Sequence, residues 1–271
     1  MIQDNKSDWL FDFIVTLSQN EKRYFKVHSV PQGSMSAKKY LQLFDAYDKL
    51  SVYDEEKLRR RIKDTSILKF FPQEKRTLYL NLLKSLRSYH SDSNIDNKIS
   101  SHLQDYDILV HKNHFDLASK SLDRAKKEAE AYENFSDLIK IQSMEIEHMR
   151  LEQKEEASKE KAAQLFKEIE ETTTKLLNYI EYEKAYIHIV KMNKKIELVS
   201  SLNELYELRK FITKPLFSSE IRAISVRAKI LYNYIFGVYY YFTNKYDRRE
   251  DFFTRYLELF DKNPFIKDIS K

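Results

Sequence analysis

Glu145-x-x-His148 is the one pair in this sequence with the spacing of a helical metal-ligand set. Residues three apart share a helix face, so a carboxylate and an imidazole could meet one ion there. A di-iron site of that kind needs a second Glu-x-x-His pair and two more Glu on facing helices. No second Glu-x-x-His occurs, and no metal is expected. His111 and His114 fall at a candidate helix junction and read as solvated surface groups. The absence of Cys removes disulfides, thiolate metal sites and a Cys nucleophile. A loop that cradles phosphate needs clustered Gly, and the only two are Gly33 and Gly237. No G-x-S-x-G elbow is present. Neither a cofactor nor enzymatic chemistry is expected.

Charge suggests a different use. Residues 1–100 hold 18 Lys and Arg against 13 Asp and Glu, whereas residues 101–271 hold 29 of each. The formal excess of +5 therefore lies in the first third. Lys57, Arg59, Arg60, Arg61, Lys63, Lys75 and Arg76 could touch nucleic-acid phosphates, if the short helices expected at 18–27, 37–50 and 54–63 form a helix-turn-helix-like module. Glu55, Glu56 and Glu74 sit among these cations, and a solvated helix face explains them equally well. A DNA-binding regulator is thus an alternative reading.

The elements that would position such groups are helices. Tight strand turns lean on Gly and Pro, and this chain has two Gly and four Pro, so an all-α fold is expected. Apolar content of 42% is enough for a substantial core. Ser18-x-x-Glu21 is a capping box, and Tyr40, Leu43, Phe44 and Tyr47 follow helical spacing. VPQGSMS, residues 30–36, reads as a loop. The polar stretch SDSNIDN divides the chain into a basic helical module at 1–95 and a longer helical domain at 96–271. In that domain, helices are expected near 98–112, 114–132, 135–152, 155–178, 180–197, 200–212, 218–243 and 247–261.

Residues 232–246, YNYIFGVYYYFTNKY, hold eight aromatics. Left half exposed, they would make an apolar patch larger than monomers usually tolerate. A helix apolar all round should instead be buried on both sides. Gly237 costs about 1 kcal/mol in mid-helix, which close approach of a neighbouring helix would offset.

Two segments resemble tetratricopeptide (TPR) units. In the first, Gly237 takes the small position with Tyr240 after it, Tyr246 the turn, Phe253 and Leu257 the second helix, and Pro264 the end. Arg249 and Tyr256 stand where the family prefers Ala. In the second, Phe115, Ala118, Leu122 and Ala125 match the turn aromatic and the helix after it. LSQNEKRYFK with KKYLQLFDAYDKL also resembles the start of uncharacterised bacterial helical-repeat proteins, a likeness that carries no activity. The TPR resemblance implies antiparallel helix pairs stacked as a right-handed α-solenoid. It implies a non-catalytic scaffold that takes a protein or peptide partner in a concave groove, with Tyr234, Tyr241 and Lys245 as groove residues. The family's peptide-clamp pattern is not visible across successive repeats, so no specific ligand follows. The apolar final helix, DFFTRYLELF, is expected to dock on a partner chain or on further chain beyond Lys271, and a homo-oligomer through it is the third reading. No stretch is long and apolar enough for a membrane span and the N-terminus lacks the charge of a secretory signal, so a cytoplasmic protein is expected.

Overall fold

The computed structural model describes residues 8–28, 35–151, 157–196 and 202–266, and every regular element among them is helical. Most of the loop expected at 30–36 lies outside the described residues. The chain forms two compact units, Met1–Ser93 and Asn94–Lys271.

The first unit contains α1 (Trp9–Thr16), α2 (Gln19–His28), α3 (Met35–Asp48), α4 (Glu55–Arg61), α5 (Thr65–Lys69) and α6 (Phe71–Tyr89). Its core gathers Leu10, Ile14, Phe25, Leu43, Phe44, Tyr47, Leu58, Ile67, Leu78 and Leu82. The capping box forms as expected. Glu21 donates its amide to Ser18 Oγ at 3.3 Å, and Ser18 donates its own to Glu21 Oε2 at 2.7 Å. Asp8 caps α1 through the amides of Leu10 and Phe11. The same carboxylate receives Lys75 Nζ at 2.6 Å and the hydroxyls of Tyr47 and Tyr53, and it is only 5% exposed. One buried charge thereby joins the start of α1 to α3, α6 and the turn after α3.

The second unit contains α7 (Ile95–His111), α8 (Phe115–Ala131), α9 (Phe135–Leu151), α10 (Ala157–Ile196), α11 (Leu202–Ile212), α12 (Val226–Phe242) and α13 (Tyr246–Lys262). Helices α7 to α10 pack in sequence, each on the next; α11 and α12 pack on α10, and α13 on α12. The two helices expected at 155–178 and 180–197 are one 40-residue helix, about 60 Å long. No Gly or Pro interrupts it, and Asn178, the polar residue at the expected break, spends its side chain on a distant segment. The helix expected from 218 begins at Val226, because residues 215–217 and 220–222 form short 3-10 turns and Ser225 supplies the cap, accepting from the Ala228 amide.

Three turns of this unit share one construction. Asn113, Glu133 and Asn244 take left-handed φ of 59°, 48° and 56°. The next amide, of His114, Asn134 or Lys245, donates to the carbonyl five residues back at 2.9, 2.9 and 3.0 Å. This closure satisfies the orphan carbonyls of the outgoing helix. An aromatic residue, Phe115, Phe135 or Tyr246, then opens the following helix. Lys126 ties the middle of the array, reaching Glu145 on α9 at 2.9 Å and Glu168 on α10 at 3.0 Å.

The aromatic run lies inside this packing. Tyr232, Ile235, Phe236 and Val238 are buried, and Phe252 of α13 stacks on Phe236 at 5.1 Å and on Tyr240 at 5.5 Å. Gly237 marks the close approach of α13: a methyl group there would stand 2.9 Å from the Phe253 ring. We expect Gly237→Leu to lower stability by about 1–2 kcal/mol through overpacking. Gly237→Ala should be nearly neutral, since its helix propensity gain of about 1 kcal/mol offsets a small ring shift. Urea midpoints check this, and Phe253→Ala in the same chain should recover part of the Gly237→Leu loss.

Candidate functional site

A groove of about 560 Å³ opens between α12 and α13. Tyr234, Val238 and Phe253 form its floor and Tyr241 and Leu257 its walls, with Arg249 and Glu250 at the rim. Packing fixes the floor. Tyr234 is wedged edge-on against Tyr186 at 5.1 Å and Phe253 at 6.2 Å, with Tyr256 at 5.8 Å. Tyr241, by contrast, is 47% exposed and Leu257 is 59% exposed. The Arg249 guanidinium sits over the rings of Tyr246 and Tyr241, at 5.2 and 5.9 Å. Such cation–π contacts hold an exposed aromatic in one orientation.

Tyr234 and Tyr241, seven residues and about two helical turns apart on α12, both line this groove. Lys245 is an exposed residue at the head of α13 and lies outside the groove lining. The groove cation is Arg249, four residues on and so one turn inward. Leu257, matched to the second helix of the unit in the TPR resemblance, is exposed, while Phe253 packs against Gly237.

The cations of the first unit are distributed differently. Lys75 corrects the expectation of a phosphate contact, since it is nearly buried against Asp8 and lies over Trp9 and Phe71. Arg59 pairs with Glu55 at 2.9 Å and covers Phe71; Arg60 pairs with Glu56 at 3.2 Å, and Lys57 with Asp54 at 3.3 Å. Arg61, Lys63 and Arg76 are exposed. The short helices expected at 18–27, 37–50 and 54–63 are α2, α3 and α4.

Glu145 and His148 do not converge on a common point. Glu145 gives its carboxylate to Lys126 while burial pushes its carboxyl up, and the His148 ring packs by Tyr106 and Phe115. No cluster of three or more potential metal-ligating side chains occurs among the described residues.

A second and larger groove, of about 1120 Å³, was not foreseen. It runs along α10 beside residues 211–224, with Leu177, Ala185, Leu216, Phe217, Ile221 and Ile224 as its apolar lining. Sequence reading placed 218–224 inside a helix, which would have scattered these side chains.

Comparison with family models, curated proteins and solved structures finds no match. Chemistry must therefore be read from the two grooves themselves. Both combine exposed apolar side chains with charged rims. No helix among the described residues is long and apolar enough to cross a membrane.

Proposed function

We propose that this chain is a non-catalytic, cytoplasmic helical-repeat scaffold that receives a segment of a partner protein in the groove between α12 and α13. The observation that carries the reading is the pairing of Tyr241 and Leu257, both displayed to solvent, over a floor locked by Tyr234 and Phe253. Rigid aromatic anchors lose little conformational entropy on binding and dominate protein interfaces. The common turn at Asn113, Glu133 and Asn244 supports a repeat origin. The repeat is longer than a TPR. Helices α7 and α9 begin 40 residues apart and α9 and α11 67 apart, by their starts at 95, 135 and 202, against 34 for a TPR unit. The unit is TPR-like in turn chemistry and extended in its helices.

The test is capture of partners from the cell's own lysate, with and without nuclease, by the wild-type chain and by Tyr241→Asp/Leu257→Asp. Both residues are exposed, so the variant should keep the wild-type unfolding midpoint. Stoichiometric proteins that survive nuclease and fall at least tenfold on the variant are the expected result. Recovery of nucleic acid alone would overturn the scaffold reading in favour of a regulator acting through Arg60, Arg61, Lys63 and Arg76. Recovery of further copies of this chain alone would overturn it in favour of a homo-oligomer.

A further inference from the structure

We propose that the groove along α10 is a second docking site, and that its occupant is an acidic amphipathic helix of a partner protein. It shares no lining residue with the groove between α12 and α13, and it stands or falls separately.

Ile221 is 85% exposed, the most exposed large apolar side chain among the described residues. Leu177 and Ile224, on the same groove wall, are exposed as well. Scattered apolar residues on a surface need no explanation, but a contiguous set around a concavity does. A floppy loop could fold such residues away. This one is pinned in place. Asn178 of α10 donates Nδ2 to the Arg222 carbonyl at 2.9 Å and accepts from the Ile224 amide at 3.2 Å. Tyr182 donates its hydroxyl to the Leu216 carbonyl at 2.8 Å. Ser219 caps the turn that carries Ile221, and Asn233 of α12 donates to the Glu220 carboxylate at 3.1 Å. The backbone that presents the isoleucines is therefore fixed from two helices before any partner arrives. Preorganisation of that kind lowers the entropic cost of association.

Charge decides what fits. Lys184, Lys214 and Arg222 line the groove, against Glu181 alone. Among the described residues, no ion pair engages any of these three cations within 4.0 Å. Lys214 instead lies over the Phe211 ring at 4.8 Å. An apolar trough rimmed by cations that no carboxylate pairs among the described residues complements a helix with one apolar face and acidic flanks. Its anchors at i, i+3, i+4 and i+7 would enter the trough while Glu or Asp met the rim. Nucleic acid fits less well, since strand binders stack bases on exposed aromatic rings. Here the exposed wall is largely aliphatic; Phe211 and Phe217 are buried, and the exposed His188 ring already packs on Phe211 at 4.7 Å. A lipid surface needs a protruding apolar tip, whereas Leu177 and Ile221 line a concavity.

The experiment titrates the full chain with a fluorescein-labelled 18-residue peptide bearing Leu at i, i+3, i+4 and i+7 and Glu on both flanks, read by anisotropy. Saturable binding in the micromolar range is expected. Ile221→Asp should weaken it at least tenfold, and Lys214→Glu/Arg222→Glu should weaken it comparably while reversing preference toward a Lys-flanked version of the peptide. Tyr241→Asp should leave it unchanged. The three groove side chains altered are all exposed, so folding should survive each change, and circular dichroism verifies it. Absence of saturable binding, or equal binding of the Lys-flanked peptide to the wild-type chain, would overturn the proposal. So would Ile221-dependent binding to phosphatidylserine vesicles without peptide binding.

Discussion

Asp8→Ala is expected to lower the stability of the first unit by about 3–5 kcal/mol, the cost of leaving a buried partner charge unpaired. The carboxylate performs three tasks at once. It caps α1 at Leu10 and Phe11, neutralises Lys75 at 2.6 Å, and accepts from the Tyr47 and Tyr53 hydroxyls. Its removal strands an ammonium group under Trp9 and Phe71. Trp9 is the sole tryptophan and belongs to this unit, so its fluorescence reports the relevant transition directly. The prediction concerns the denaturation midpoint, because the intensity will change with the neighbouring charge. Acid provides an independent check. Burial raises the Asp8 carboxyl, but Lys75 and the capping amides outweigh burial and hold it below its ordinary 3.8. A depressed acid stabilises the fold fully above its unfolded value and loses that contribution as pH falls through the folded value. The wild-type Trp9 midpoint should therefore fall below pH 4, whereas Asp8→Asn, already less stable at neutral pH, should change less across that window. Equal acid sensitivity of the two chains would contradict the assignment.

The second large effect is expected at Glu133. Its two carboxylate oxygens accept from the Val226 and Arg227 amides, each at 2.9 Å, and so close the start of α12 from a turn 93 residues earlier. Arg227 completes the joint, donating to the Glu133 carbonyl at 3.4 Å and lying 4.3 Å over the Tyr179 ring. A carboxylate at a helix start gains from both the free amides and the helix dipole. Glu133→Ala should cost the second unit about 2–3 kcal/mol, measured by urea denaturation followed in the far ultraviolet, with the Trp9 midpoint unmoved. Glu133→Asn is the sharper comparison. Left-handed φ costs an ordinary residue about 1–2 kcal/mol and Asn less. The two equivalent turns do carry Asn, at 113 and 244. Asn at 133 would thus relieve the backbone yet lose the cap, for a net loss of about 1–2 kcal/mol. A stabilised Glu133→Asn chain would show that the turn, and not the joint to α12, sets this residue.

Glu133 also marks where sequence reading stops. Asn113 and Asn244 signal their turns because Asn tolerates left-handed φ, and the aromatic after each completes the pattern that resembles a TPR turn. The turn at 133 has the same geometry but a Glu whose reason lies across the fold, so its kinship is hidden. The all-α character was legible from the scarcity of Gly and Pro, and the tight packing at Gly237 from the aromatics around it. Helix length was less legible. The break expected after residue 178 does not occur, and Asn178 at that point fastens residues 222–224. That same long-range tie creates the groove along α10, which no local pattern could reveal. At the candidate site, the common helix side of Tyr234 and Tyr241 was legible from helical geometry. Arg249 and Leu257 were not, because their exposure depends on which side of α13 meets α12. Lys75 shows the converse error: its position in a basic stretch suggested phosphate, and its burial against Asp8 depends on a residue 67 positions away.

The most direct test of the scaffold reading is photo-crosslinking in living cells, with benzoylphenylalanine in place of Tyr241 and, in a separate chain, in place of Arg61. The account predicts a discrete protein adduct at position 241, lost when Leu257→Asp is added, and no nucleic-acid adduct at position 61. Nucleic-acid adducts at position 61 with nothing at position 241 would contradict it.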